Sequence, residues 1–191
     1  MPTFLEKVTL VLARDEGQNN FGGVVTQTVA VHERFGADKI TEQYRKPFNS
    51  DLREIDLAAL VVGNRFTNNS MVIHRKVFTA VGNFREDLTV LYDWEFNIRA
   101  VARFHFGVVP EGLACYHLRP LADLNQNTSI EEHLRVKIRI RNEWLRADLA
   151  AGRLGLGQLA LAGEMRGFGA ILDLGRRWRN WIRSCFGGWS R

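Results

Sequence analysis

The sequence predicts an α/β fold, because segments with helical spacing alternate along the chain with strand-like segments. Apolar residues recur at intervals of three and four over residues 4–12, and a β-branched run follows at residues 24–31. Further along, the apolar helical face of residues 91–101 is followed closely by a strand-like segment at residues 106–110. In a chain of 191 residues, about the length of one domain, this alternation predicts a single α/β core.

The first half of the chain contains brief elements. The helix of residues 4–12 ends near Asp15, and residues 24–31 form a strand with at least one buried face. Residues 37–56 are polar and lack periodicity, so they are predicted to be a surface loop. A short apolar run at residues 57–62, a short strand at residues 71–73 and a helix at residues 76–81 follow, and Gly82 closes that helix.

The second half begins with a helix predicted from about residue 93 to residue 103, with Asp93 where an N-cap acceptor would lie. A strand at residues 106–110 stops at a proline, and a second strand follows at residues 113–116. Ser129 and Glu132 have the spacing of a capping box, which predicts a long helix that continues to about residue 151.

The C-terminal part differs in character. Seven glycines between residues 152 and 175 predict a loosely packed tether. Residues 165–191 contain six arginines and one aspartate, so the net charge of +5 of the whole chain belongs to this tail. Residues 171–186 form a basic, tryptophan-rich amphipathic pattern that suits either a membrane surface or packing on protein. No nucleic-acid-binding motif accompanies it, so no nucleic-acid partner is expected.

The composition excludes several other classes of protein. Hydrophobic residues make up 46% and charged residues 25% of the chain, which is ordinary for a globular protein. No apolar run approaches the ~20 residues of a membrane-spanning helix, and Glu6 lies where a secretory leader would be apolar. A cytoplasmic protein is therefore expected. Cys115 and Cys185 lie far apart without ligand spacing, so neither a disulfide framework nor a zinc site is predicted.

The most informative stretch runs from residue 63 to residue 119. A serine-bearing strand ends in a basic pair, a glycine and an aromatic residue introduce a loop, and Asp93-Trp94 opens a helix. The segment P-E-G-L-A-C-Y and a basic H-L-R follow. This order resembles the C-terminal half of the family 2 glycosyltransferases, which have the GT-A fold.

The resemblance implies a partial GT-A fold, a Rossmann-like mixed sheet flanked by helices, with a C-terminal helical extension. It divides the chain into the C-terminal part of a GT-A domain at 1–128, a helical extension with the tether at 129–164, and the tail helix at 165–191. The first residues, P-T-F-L, are similar to those that follow the family's Asp-x-Asp metal motif. The family's nucleotide-binding half has no counterpart here, which implies a truncated gene, a fragment or one half of a split enzyme.

The family's activity is transfer of a sugar, with inversion, from a nucleoside diphosphate sugar to a hydroxyl of a saccharide or lipid-linked acceptor. The resemblance implies that Asp93 is the general base that takes the proton of the acceptor hydroxyl. A carboxylate at a helix N-terminus suits this task, because the helix dipole favours its ionised form. From spacing alone, a plain helix cap explains Asp93 as well.

The remaining site residues also come from the resemblance. His117 and Arg119 would bind the diphosphate, and His117 is in addition the candidate ligand of a metal ion. The ion would be Mg²⁺ or Mn²⁺, and only if the missing Asp-x-Asp half is supplied. Trp94, Glu95, Asn69 and Ser70 would lie on the acceptor side. The alternatives are a core position for Trp94, an exposed helix carboxylate for Glu95, and turn formation for Asn69 and Ser70. For His117 and Arg119 the alternative is a pair of solvated side chains on a turn.

The sequence is also consistent with a docking function in place of catalysis. The chain would then be a catalytically inactive remnant that docks on a membrane or on a protein through its basic tail. Under this hypothesis, and also for an enzyme that uses lipid-linked acceptors, the protein would lie at the inner face of the membrane.

Overall fold

The computed structural model of the chain describes residues 2–15, 17, 20–36, 39–119 and 130–165. Within these ranges one mixed sheet of four strands is accompanied by helices, which confirms the predicted α/β class. The elements, in chain order, are α1 Pro2–Asp15, β1 Phe21–Phe35, β2 Ile40–Pro47, α2 Leu57–Val62, a 3₁₀ turn at Asn68–Ser70, β3 Met71–Ile73, α3 Arg75–Val81, α4 Tyr92–Val101, β4 His105–Leu118 and α5 Ile130–Ala151. Residues 156–165 form a further helix, α6.

Strand β1 is the centre of the sheet. It pairs with β4 in parallel from Phe21 to His32, with β3 antiparallel at residues 23–25, and with β2 antiparallel at residues 29–35. Because β4 occupies one edge of β1 over this length, β2 and β3 share the other edge. The parallel pairing places the carboxyl ends of β1 and β4 side by side.

Helix α1 packs on the sheet through its apolar face, which confirms the first predicted helix. Val8 lies in a buried cluster with residues of β1 and β4, among them Val24 and Val109. The helix lies close to β4 at Gly107, where an added Cβ would come within 2.7 Å of Val11. The apolar spacing of residues 4–12 therefore marks the face that α1 buries.

Strand β2 corrects the predicted loop at residues 37–56. All eight of its side chains are exposed, and it is held by backbone pairing with β1. A strand that buries no side chain has no alternation of apolar and polar residues, so the sequence contained no strand signal there.

Strand β4 is one continuous strand, whereas two strands separated at Pro110 were predicted. Val109 faces Thr26 and Gly112 faces Gln27, so the register passes over residues 110 and 111 of β4 between two consecutive residues of β1. A bulge thus accommodates the proline, which cannot donate to the ladder, and β1 continues as the partner on both sides of it.

The short elements between β2 and α4 follow local signals. The apolar run of residues 57–62 is helix α2, which begins where an Asp56 carboxylate oxygen accepts a hydrogen bond from the Ala58 N–H at 2.8 Å. Helix α3 ends at Gly82, as predicted, and this glycine has φ of 81°. A left-handed conformation at this position favours glycine.

Helices α4 and α5 are confirmed, but the start of α4 differs from the prediction. Its N-cap is Leu91, which has φ of 61° and makes no side-chain capping bond, so Asp93 lies in the first turn and is not the cap. Ser129 of the predicted capping box lies outside the described residues. Glu132, its proposed partner, accepts a hydrogen bond from the Thr89 hydroxyl at 2.7 Å.

The chain divides into two compact units between Ile140 and Arg141, inside α5. The predicted boundaries at 128 and 164 stay predictions. In the second unit an ion pair joins Arg141 to Glu164 at 2.5 Å, and an added Cβ on Gly157 would lie 2.3 Å from the backbone N of Leu145. The predicted loose packing is therefore wrong at Gly157. Tail residues 166–191 lie outside the described residues.

In the part of the chain that the structure describes, no helix has both the length and the apolar character needed to cross a membrane.

Candidate functional site

The carboxyl ends of β1 and β4 bring together the two predicted diphosphate ligands and a third residue that the sequence analysis did not single out. His117 is the next-to-last residue of β4, and Arg119 follows the strand directly. Both side chains meet Glu33, near the end of β1. Ligands of open α/β sheets commonly bind beyond the carboxyl ends of parallel strands, so this edge is a candidate site.

Glu33 is shared between the two basic side chains. Its Oε1 lies 2.6 Å from Nδ1 of His117, and its Oε2 accepts from Nε of Arg119 at 2.9 Å. The Glu33 side chain is only 10% exposed, whereas His117 is 49% and Arg119 is 32% exposed. The hydrogen bond with His117 lowers the pKa of Glu33 below its usual value; Arg119 adds to this effect, and partial burial opposes it.

A groove of about 600 Å³ opens beside this cluster. Two aromatic contacts shape its surroundings. The rings of His32 and Tyr44 stack with their centres 4.3 Å apart, and the Arg119 guanidinium lies 5.7 Å from the centre of the Phe35 ring. The groove is lined by His32, Glu33, Arg34, Gln43, Tyr44, Leu118 and Arg119.

Asp93, the predicted general base, lies in the first turn of α4 and is partly exposed. One of its carboxylate oxygens accepts from the backbone N–H of Trp94 at 2.8 Å. The free N–H groups of a first helical turn and the helix dipole both stabilise a negative charge at this place. The carboxylate is therefore held by its own helix and is partly exposed.

The two residues after Asp93 are buried, so the structure assigns them structural contacts. Trp94 is buried in the core, which was the alternative to an acceptor-side position, and its ring N–H donates to the Leu60 carbonyl at 2.7 Å. Glu95 is 2% exposed, so the alternative of an exposed helix carboxylate is wrong. It pairs with Arg99, whose Nε lies 2.8 Å from Oε1, and Arg99 in turn donates to the Val81 and Asn83 carbonyls.

Asn69 and Ser70 form the turn that precedes β3. Ser70 is fully buried, and its hydroxyl donates to the Thr67 carbonyl at 2.6 Å. Asn69 is exposed; its amide N–H donates to the Cys115 carbonyl in β4 at 2.6 Å, and its carbonyl oxygen accepts from the Thr67 hydroxyl. Turn formation explains Ser70, and Asn69 attaches the turn to the strand that leads to His117.

The structure thus joins some predicted site residues and leaves others apart. His117 and Arg119 share one carboxylate, and Asn69 contacts β4 two residues before His117. In the described ranges, no hydrogen bond or ion pair links Asp93 to any of these three residues.

Asn97 is a second residue that the sequence analysis missed. It is fully buried in α4, and neither its amide oxygen nor its amide nitrogen has a hydrogen-bond partner. It follows Asp93 by four residues, so the two lie on the same face of the helix. Burial of an unsatisfied amide costs about 1–3 kcal/mol. Only its position one turn after the predicted base could have drawn attention to it.

The described residues do not by themselves provide a metal site. No group of three His, Cys, Asp or Glu side chains among them is arranged to hold a metal ion. Glu33 and His117 supply two such groups in contact with each other. A metal-binding role of His117 stays a prediction that requires carboxylates beyond this cluster.

Comparison with known proteins identifies no relative, since no protein-family model, no curated protein and no solved structure matches the chain.

Proposed function

We propose that the chain is the catalytic-base half of an inverting GT-A glycosyltransferase. The donor would be a nucleoside diphosphate sugar, and the acceptor a hydroxyl of a saccharide or of a lipid-linked molecule. The proposal rests on the order of motifs between residues 63 and 119 together with the environments of the side chains those motifs contain. A divalent cation, Mg²⁺ or Mn²⁺, would be bound by an Asp-x-Asp half that this sequence does not contain.

One observation carries the proposal: of the two acids in Asp93-Trp94-Glu95, only Asp93 is available to a ligand. Glu95 is buried and neutralised by Arg99, so it cannot accept a proton from a substrate. Asp93 is partly exposed, and its hydrogen bond to the Trp94 N–H occupies one oxygen. This division is expected when one acid positions the helix and the other performs chemistry.

The chemical step is a direct displacement. The Asp93 carboxylate takes the proton of the acceptor hydroxyl while that oxygen forms a bond to the anomeric carbon. On the opposite side of the carbon, the bond to the diphosphate oxygen breaks and its electron pair leaves with the diphosphate. Attack and departure on opposite faces invert the anomeric configuration.

The departing diphosphate gains negative charge, which must be neutralised for the reaction to proceed. Arg119 and His117 are the proposed groups for this task. In the described structure their contacts with Glu33 use Nε of Arg119 and Nδ1 of His117, so the two Nη groups of Arg119 and Nε2 of His117 are not occupied by protein there. Charge-assisted hydrogen bonds from an arginine to phosphate oxygens are among the stronger ones available.

The test is sugar transfer by a protein that contains both halves. The proposal requires a reading frame that encodes, ahead of residue 1, a βαβ unit ending in Asp-x-Asp. The protein made from that frame would be incubated with nucleoside diphosphate sugars, Mn²⁺ and candidate acceptors, with release of the nucleoside diphosphate followed over time. We expect a product of inverted anomeric configuration by NMR. Unrelated sequence ahead of residue 1, or retention of configuration, would refute the proposal.

A second candidate function is docking on an anionic membrane through residues 171–186, and the basic amphipathic pattern of that segment favours it. It is tested by flotation of the chain with vesicles that contain an anionic lipid, with and without residues 165–191. Equal flotation of the two forms would exclude the tail as the anchor.

A further inference from the structure

Glu33 lies beneath two basic side chains at the edge of a groove. Its side chain is the least exposed of the three at 10%, and both of its oxygens are occupied by protein. His117 and Arg119 lie further out, at 49% and 32% exposure. The acid is therefore the inner member of the cluster, and the basic groups form its outer surface.

We propose that Glu33 is a positioning residue that aims the Nη groups of Arg119 and the Nε2 edge of the His117 ring at a bound diphosphate. This inference deepens the proposed function, which assigns those two side chains to the diphosphate but assigns nothing to Glu33. Glu33 itself does not contact the ligand.

The contact with His117 decides which ring nitrogen faces outward. Because Oε1 of Glu33 lies 2.6 Å from Nδ1, Nδ1 donates to the carboxylate and Nε2 is the atom left for a ligand. Nε2 donates to a phosphate oxygen when the ring carries both protons. A carboxylate that holds one imidazole nitrogen and thereby orients the other is a common supporting arrangement in binding sites.

The contact with Arg119 fixes the plane of its guanidinium group. Glu33 accepts from Nε at 2.9 Å, and the Phe35 ring lies 5.7 Å from the guanidinium carbon. These two contacts leave the paired Nη groups, which match the spacing of two phosphate oxygens. A long side chain held in advance loses less conformational entropy when the anion binds.

The competing account is that Glu33 repels an anion, because it places a negative charge beneath the site. The two accounts predict changes of opposite sign. If Glu33 only repels, its neutralisation strengthens anion binding; if it positions His117 and Arg119, its neutralisation weakens binding although the charge becomes more favourable.

The chain provides a matched control for charge. Glu42 lies directly opposite Glu33 in the register of β1 and β2, and it is exposed and paired with Arg45. Glu42→Gln therefore removes the same charge from the neighbouring strand without touching His117 or Arg119.

The experiment measures binding of inorganic pyrophosphate to the full chain by isothermal titration calorimetry. We expect Glu33→Gln to weaken binding by about 10-fold, the lower end of the usual effect of removing a supporting carboxylate, and Glu42→Gln to leave it unchanged or slightly stronger. In an Arg119→Ala, His117→Ala background, Glu33→Gln should have no further effect. Tighter binding by Glu33→Gln, or equal effects of the two Gln variants, would overturn the proposal.

A second measurement separates positioning from general damage to the fold. At a pH where the His117 ring is neutral, its ¹⁵N shifts should report the tautomer protonated at Nδ1 in the wild type and a mixture of tautomers in Glu33→Gln, while the circular dichroism spectrum stays the same. An unchanged tautomer in the variant would contradict the proposed role.

Failure of this inference can be told apart from failure of the proposed function. Pyrophosphate binding that depends on Glu33 would stand even if no sugar transfer were found, and transfer that depends on Asp93 would stand even if Glu33→Gln bound pyrophosphate normally. Absence of pyrophosphate binding by the wild-type chain would remove the anion site, and with it the role of Glu33.

Discussion

The start of α4 and the carboxyl ends of β1 and β4 each bury an acidic side chain, but the more exposed groups beside that acid differ. At the start of α4, the buried acid Glu95 is neutralised by Arg99, and a second acid, Asp93, is left partly exposed. At the strand ends the buried acid is Glu33, and the more exposed groups are basic. The first region thus leaves a carboxylate partly exposed, and the second leaves two basic side chains partly exposed.

This difference shows that the role open to a buried acid depends on the basic side chains that pair with it. Glu33 and Glu95 are both nearly buried and both paired with an arginine. Glu33 contacts two more exposed basic side chains, whereas the arginine paired with Glu95 joins α4 to the loop around Asn83. A proton acceptor and an anion-binding surface are the two features that displacement of a diphosphate requires.

The largest effect is expected from Asp93→Asn in a protein that contains both halves of the enzyme. Removal of the general base should lower the rate of sugar transfer by about 10²–10⁴-fold, while the free energy of unfolding changes little because the carboxylate is partly exposed. Rates of nucleoside diphosphate release measure the effect. The matched control is Glu86→Gln, which changes an exposed acid in the loop before α4; comparable loss in both variants would argue against Asp93 as the base.

Arg99→Ala should produce the largest loss of stability. It leaves the Glu95 carboxylate buried without its partner, and unpairing a buried ion pair costs about 3–5 kcal/mol. It also removes the hydrogen bonds to the Val81 and Asn83 carbonyls. Urea unfolding followed by circular dichroism measures the change. A free energy of unfolding within about 1 kcal/mol of the wild type would mean that the pair contributes little.

Asn97→Leu should stabilise the fold by about 1 kcal/mol, because it removes a buried amide that lacks hydrogen bonds. The same urea experiment applies. Asn97→Asp, which keeps the shape and adds a charge, should destabilise it. If the leucine variant is less stable than the wild type, the amide has a partner such as a bound water molecule. A gain in stability together with a loss of transfer would connect Asn97 to the site beside Asp93.

The smallest effect concerns pH and the exposed Asp87. The hydrogen bond from Arg85 holds the pKa of Asp87 well below its usual value. Arg139 of α5 adds to this effect, and burial opposes it. A lowered folded-state pKa gives stability that is present above the unfolded-state value and is lost as pH falls toward the folded-state value. Asp87→Asn should therefore flatten the decrease in melting temperature below about pH 4, and Glu86→Gln should not. Parallel curves for Asp87→Asn and the wild type would contradict this.

Local pattern predicted most of the helices, and it failed where an element has no buried side chain or crosses a proline. Helices α1, α3, α4 and α5 each have a periodic apolar face or a glycine stop that the sequence displays. Strand β2 exposes every side chain, so nothing in its composition marks it. Strand β4 continues past Pro110 because β1 remains available as its partner, which is information from outside the segment.

The candidate site divides in the same way. The sequence alone predicted that a helix with an apolar face starts near Asp93, because helical periodicity is local. It could not reveal that Glu33 meets His117, 84 positions further along. Nor could it reveal that Glu95 is buried and paired with Arg99, which also donates to the Asn83 carbonyl. Those contacts depend on the parallel pairing of β1 with β4 and on the packing of α3 against α4. Only the tertiary structure decides such matters, because burial and pairing of a charge are set by neighbours that are distant in sequence.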